Sequence, residues 1–204
     1  WVFAQACRDL HRLIAHFAAH APDVSINLSP RQFRLPDLAE RIIGHAQSHG
    51  VEPGRLCLEV TESCLLENVT LAVDKMEYLR AQGVRFAVDD FGTGYSSLAY
   101  LKQLPVDIVK IDKQFVAGIN HDVSDRGIVQ GLLAMARTLG LQVVAEGVEQ
   151  PDQIALLREL GCPLLQGFGL HRPMPAADFL VLVETDPTSA APQRRRRCGQ
   201  EQTF

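Results

Sequence analysis

Apolar and polar positions in this chain follow two periods. Val2, Cys7, Leu10, Leu13, Ile14 and Phe17 recur at helical spacing, which predicts an amphipathic helix over residues 1–19. Further helices are predicted at 36–49, 68–82, 124–139, 153–160 and 175–184, with a short one at 96–103. Gly50, Gly83, Gly140 and Gly161 stand where four of them end. Between the helices lie runs that are apolar along their length: 24–28, 56–61, 84–89, 107–111, 141–145 and 163–168. Strands with no polar face must be covered on both sides, so six such strands alternating with helices predict a parallel sheet inside an α/β fold.

The polar exceptions fall near the C-terminal end of each strand: Asn27, Glu59, Asp89, Lys110, Glu146 and Gln166. Parallel α/β folds carry their active sites at that end. A doubly wound sheet would use mainly the strands beside one crevice, whereas here every strand contributes. The pattern therefore predicts a TIM-like (β/α) barrel. A full barrel has eight strands and about 250 residues. The two strands unaccounted for are expected before residue 1, where the chain opens on Trp1 inside a helical pattern, as a piece of a longer polypeptide would. The barrel domain is expected over 1–184. From Thr185 the composition shifts to Pro, Ser, Ala, Gln and Arg, including Arg194–Arg197, which reads as a solvated, disordered tail.

The centre of the chemistry is the stretch Val84–Leu98, where an apolar strand is expected to stop at Asp89 and Asp90 ahead of Gly92 and Gly94. Neighbours on a strand point to opposite faces, so a glycine turn is expected to bring both carboxylates toward one cavity. Two carboxylates about 4 Å apart repel by roughly 4 kcal/mol at an effective dielectric of 20, and a cation, a proton or a basic side chain must offset that. An isolated Asp-Asp-x-Gly is also what a solvated turn with capping aspartates looks like. The other strand ends shift the balance. Glu59, Asp89, Asp90, Glu146 and Asn27 make a hard-oxygen donor set that suits Mg²⁺, Mn²⁺ or Ca²⁺. Four carboxylates exceed the charge of one divalent ion and match a two-metal site of the kind that stabilises in-line phosphoryl displacement. Lys110 would then position the attacking water or offset charge on a phosphate oxygen. The pattern alone predicts metal-dependent phosphoester hydrolysis, against the plainer reading of strand-end acids satisfied by salt bridges and helix N-termini.

Bulk properties exclude several alternatives. A net charge of −4 gives no general affinity for nucleic acid. Five scattered cysteines without a CxxC pair argue for reduced thiols in a cytoplasmic protein and against a zinc site. No apolar run is long enough to span a bilayer. Gly92-Thr93-Gly94 is not a dinucleotide fingerprint, since the order strand–GxGxxG–helix is not met. The seven histidines form no metal-binding group.

Several motifs together resemble one family. Asn27-Leu28-Ser29, Leu58-Glu59-Val60-Thr61-Glu62-Ser63, and Asp89-Asp90-Phe91-Gly92-Thr93-Gly94-Tyr95-Ser96-Ser97-Leu98 look like the EAL domain. So do Lys110-Ile111-Asp112, Ala145-Glu146-Gly147-Val148-Glu149, Gln166-Gly167 and Arg172-Pro173, all in family order from residue 1 to about 183. The resemblance implies a bacterial phosphodiesterase that hydrolyses cyclic di-GMP to linear pGpG with Mg²⁺ or Mn²⁺. It implies a first metal on Asn27, Glu59 and Asp89, a second on Asp89, Asp90 and Glu146, and an attacking water held by Lys110. Glu62 would anchor the loop 91–97, which couples the metal site to a homodimer interface, and Gln166 would sit at the cavity edge. Glu149 is explained equally well as a carboxylate at a helix N-terminus. Sensory or nucleotide-cyclase domains are expected upstream. The Glu-Ala-Leu signature itself is absent. It belongs on a strand before Trp1, and its glutamate is a metal ligand, so this stretch alone is expected to bind metal weakly and hydrolyse poorly. A non-catalytic cyclic di-GMP receptor and another metal-dependent barrel hydrolase are the alternatives.

Overall fold

A computed structural model describes residues 1–66, 68–93 and 101–185. Six parallel strands form one sheet in chain order: β1 (Val24–Leu28), β2 (Leu56–Thr61), β3 (Arg85–Phe91), β4 (Ile108–Ile111), β5 (Gln142–Ala145) and β6 (Leu164–Leu165). Helices α1 (Val2–Phe17), α3 (Leu38–Ser48), α5 (Val69–Ala81), α7 (Val123–Leu139), α8 (Pro151–Glu159) and α9 (Ala176–Thr185) supply the α layer. This is the α/β barrel architecture, with six of its strands.

The strands are apolar because both faces are used. One face packs on the helices: Ile26, Leu28, Leu58, Val60, Phe86 and Val88 belong to the main core with Leu10, Ile42, Met76 and Leu79. Ile111, Val143 and Ala145 continue that layer against α7 and α8 through Val129, Leu133 and Leu157. Each fully buried side chain of this size contributes about 1.5–3 kcal/mol. The other face carries a thinner layer of Cys57, Ala87 and Ile108, with Val144 against it. At the N-terminal end of the strands, Asp23 bridges Arg55 and Arg85, and Asp107 accepts from Arg80 and from the Phe86 amide. In parallel barrels that end serves stability.

Three short helices were not predicted: α2 (Pro30–Phe33), α4 (Glu62–Leu66) and α6 (Lys113–Ala117). Each follows a strand directly or after a single capping residue, and each is too short to show a helical repeat. Their start signals are local. Ser29 and Gln32 close a capping box around α2, and the Asp112 carboxylate accepts from the Gln114 amide at 2.7 Å to cap α6. Two strand ends differ from expectation by more than one residue. The first is β6, which is only Leu164–Leu165, because beyond it Gly167 and Gly169 press against the backbone of Val148 and Glu149. The second is β3, which does not stop at Asp89; it runs on to Phe91, which pairs with Ile111 after a register shift. Thr185, expected to open the tail, closes α9. The rest of the Arg-rich tail, residues 94–97 of the glycine loop and most of the predicted 96–103 helix lie outside the described residues.

Candidate metal and catalytic site

Side chains two apart on a strand share a face. Cys57, Glu59 and Thr61 therefore point one way on β2, as do Ala87 and Asp89 on β3 and Ile108 and Lys110 on β4. The apolar layer of Cys57, Ala87 and Ile108 forms a floor, and the polar residues lie one step nearer the C-terminal rim. Glu146 stands just past β5, yet its amide donates to the Ile111 carbonyl at 3.1 Å, so the ladder extends one residue and keeps the carboxylate on that same face.

Lys110 is the hub. Its ammonium lies 2.6 Å from Glu59 Oε2, 2.6 Å from Glu146 Oε1 and 3.3 Å from Asp89 Oδ1, and the residue is only 3% exposed. Burial alone would lower its pKa, but the hydrogen bonds and charges of Glu146 and Glu59 outweigh that and hold it above the ordinary lysine value. One cation shared by three acids leaves negative charge in excess. Burial raises the pKa of Glu146, Lys110 pulls it back, and the charges of Asp89 and Glu59 push it up again, so it stands above the usual carboxylate value.

Asp90 reaches the same hollow through a backbone reversal of its own, just ahead of the expected glycine turn, in which Gly92 takes φ 96° and the Thr93 amide donates to the Asp90 carbonyl at 3.4 Å. The aspartate itself takes a left-handed backbone, φ 54°, at the register shift in β3. Aspartate tolerates that conformation better than most residues, and the reversal lets two consecutive carboxylates serve one site while β3 continues beyond them. One oxygen each from Asp89, Asp90 and Glu146 lie within 4.8 Å of one another, a grouping able to hold a cation. Asp90 has a raised pKa, first from burial, then from the charge of Asp89 and a hydrogen bond with Asp112. The Lys110-Ile111-Asp112 motif gave Asp112 no role of its own. The residue adds a fifth carboxylate to the cluster while capping α6, and its signal was its position two residues past Lys110 on the same rim.

The remaining predicted residues are more dispersed. Asn27 is level with Glu59 in the β1–β2 register and is exposed. Glu62 opens α4, half-buried beside β2; the loop it was expected to anchor leaves the described residues after 93. Gln166 joins the site through its backbone, donating to the Ala145 carbonyl at 2.8 Å and accepting from the Val148 amide at 3.0 Å. Gln166 also lines a cavity of about 520 Å³ with Phe168 and Arg172. Glu149 is exposed just before α8.

A parallel sheet whose C-terminal rim gathers carboxylates around a buried lysine defines a TIM-like α/β barrel with a candidate cation site. Within that class the chain belongs to the EAL domain family, whose model matches residues 1–173. It is 44% identical over 184 residues to the bifunctional diguanylate cyclase/cyclic di-GMP phosphodiesterase MucR of Pseudomonas aeruginosa, covering 90% of this chain and 27% of that protein. It is 41% identical over 196 residues to the cyclic di-GMP phosphodiesterase NbdA of the same organism, covering 96% and 25%. The chain thus spans about a quarter of the length of these relatives. Among solved structures, the P. aeruginosa MucR phosphodiesterase in complex with c-di-GMP superposes with a TM-score of 0.84 at 43% identity, covering 88% of this chain and 72% of that one. The EAL domain of Mycobacterium smegmatis DcpA gives 0.85 at 37% identity, covering 91% and 83%. Among the described residues, no helix is long and apolar enough to cross a membrane.

Proposed function

We propose that this chain is the catalytic part of a cyclic di-GMP phosphodiesterase, hydrolysing the cyclic dinucleotide to linear pGpG with Mg²⁺ or Mn²⁺. The observation that carries the reading is the convergence of Asp89, Asp90 and Glu146 oxygens within 4.8 Å, with Lys110 bonded into the same cluster. The donors fit a hard divalent ion: all are oxygens, and their charge is only partly offset by the lysine. Asn27, Glu59 and Asp89 would hold one ion and Asp89, Asp90 and Glu146 a second. When bound, such ions activate water and neutralise charge developing on the phosphate.

The chain's own residues do the rest. The Ala87 and Cys57 floor excludes water from below the cluster. With those acids holding metal, the Lys110 ammonium beside them would orient the attacking water or a phosphate oxygen. Asp112 lies against Asp90 and adds to the negative charge that a cation would offset. Relatives of roughly three to four times this length, one of them named as bifunctional with a cyclase, support sensory or nucleotide-cyclase domains elsewhere in the full-length protein. Among the described residues, four free, buried cysteines support a reducing, cytoplasmic setting. A homodimer, with Glu62 and the 91–97 loop linking its interface to the metals, belongs to the same reading, as does the Arg-rich stretch as a tail to a barrel domain over 1–184.

The test is hydrolysis of cyclic di-GMP by the full-length protein with Mg²⁺ or Mn²⁺, alongside Glu146→Ala and Lys110→Ala. Turnover in the parent and its loss in both variants is expected. Turnover that survives both substitutions rejects the reading, and tight binding without turnover replaces it with a receptor that senses the nucleotide without cutting it.

A further inference from the structure

Glu146 sits on a segment with no regular structure. Residues 146–150 form neither helix nor strand, so their amide hydrogens must find partners individually. Glu146 and Val148 donate to the Ile111 and Gln166 carbonyls on either side. The next two amides converge on one side chain: Glu149 and Gln150 each donate to Gln153 Oε1 at 2.9 Å. Gln153 is 7% exposed, and its other end is also engaged, with Nε2 donating to the Val116 carbonyl at 3.1 Å.

Accepting from amides just ahead of α8 is what an ordinary helix-capping residue does. The bond to Val116 is not part of a cap. Val116 lies on α6, the helix that Asp112 opens directly after Lys110. Gln153 therefore joins two acid-bearing stretches, 146–150 and 110–117. The same seam carries the Lys110–Glu146 ion pair, the Glu146 amide bond to the Ile111 carbonyl, and a close approach of Gly147, at φ +65°, to Lys113, where any side chain on residue 147 would collide. With a glycine on one side of the seam, no other side chain of residue 147 can set its spacing.

We propose that Gln153 is a positioning residue for the candidate metal site, holding the Glu146 carboxylate at its spacing from Asp89 and Asp90 by tying segment 146–150 to α6. The inference rests on reading these acids as metal ligands. Groups that orient ligands from behind are worth about 10–100-fold in metal affinity.

The experiment measures Mn²⁺ binding directly, by calorimetry or by the EPR signal of free Mn²⁺, in the full-length protein without substrate. Gln153→Leu removes both kinds of hydrogen bond and is expected to weaken Mn²⁺ binding by about 10–100-fold. Gln153→Glu keeps an acceptor for the two amides, loses the donor to Val116, and is expected to fall between Gln153→Leu and the parent. Thermal midpoints are recorded beside each titration. A lowered midpoint with unchanged Mn²⁺ affinity makes Gln153 a stability residue only and overturns the inference. If Gln153→Leu does not fold, Gln153→Glu decides alone, and an affinity equal to or tighter than the parent's overturns it. A parent that binds no Mn²⁺ removes the metal reading itself, which separates that failure from this one.

Discussion

Glu59 and Lys110 meet at 2.6 Å across a strand to which neither belongs. Glu59 is on β2 and Lys110 on β4, with β3 between them. At the level of Glu59, β3 presents Ala87, whose methyl is short enough for the lysine to pass over it. A larger side chain there would wedge the pair apart. Ala87→Leu is expected to cost about 1–3 kcal/mol by overpacking, measured by denaturant unfolding. It is also expected to depress turnover, because Lys110 moves off its carboxylates; full activity in a folded Ala87→Leu protein would count against this geometry.

Removing the hub should have opposite consequences with and without metal. Lys110→Met leaves three acids without their shared cation, and breaking a buried pair costs about 3–5 kcal/mol. In metal-free protein the thermal midpoint is expected to fall. Added Mn²⁺ is expected to raise it by more than it raises the parent's, because the ion takes over the neutralising role. Turnover stays down by about 10²–10³-fold, the usual loss when one charge-stabilising donor is removed. Differential scanning fluorimetry with and without Mn²⁺, beside a hydrolysis assay, checks both halves.

The acids and the lysine give the site a defined pH response. Glu146 and Asp90 have folded pKa values above their unfolded ones. The stability they contribute is therefore complete below the ordinary carboxylate range, about pH 4, and is lost as pH rises through their elevated values. Lys110 is also raised, so its contribution persists through neutrality and is lost only above the ordinary lysine range. Metal requires the ionised acids, so stabilisation by Mn²⁺ is expected to grow from pH 5 to neutrality, an interval of about two units. Glu146→Gln is expected to flatten the metal-free trend; unfolding free energies for parent and variant across that range, with and without Mn²⁺, test it.

Cys57 lies in the floor beneath these acids, 1% exposed. Burial pushes its thiol up to about 11, with Arg85 and a hydrogen bond to Ser25 pulling the other way. The thiolate is the reactive form, so the native protein is expected to leave Cys57 unlabelled by iodoacetamide at neutral pH and to label it on unfolding. Peptide mass spectrometry reads the difference directly, and labelling of the folded protein at Cys57 would show that the floor opens.

Much of this arrangement was visible in the residues alone. Strands β1 and β2 begin and end where their apolar runs do. The strand-end acids and Lys110 could be placed at one rim because period-two alternation assigns each a face. What escaped was information that no period carries. The left-handed backbone at Asp90 comes in addition to the expected glycine turn, and it depends on the β3–β4 register. The short helices α2 and α6 are set by local caps, and α4 is too short to show a repeat. Gln153 looked like an ordinary position in an amphipathic helix, since its partners lie on a segment and a helix distant in sequence. Asp112 stood in plain view, but its contact with Asp90 arises only once that backbone is reversed.

Lys110 also bears on how the protein behaves when stripped of metal. Because a built-in ammonium already draws Glu59, Asp89 and Glu146 inward, the acids do not depend on an external ion to stay gathered. Chelation would then empty the centre and leave its walls standing, and reloading would be a matter of exchange at a ready-made socket, with no refolding required.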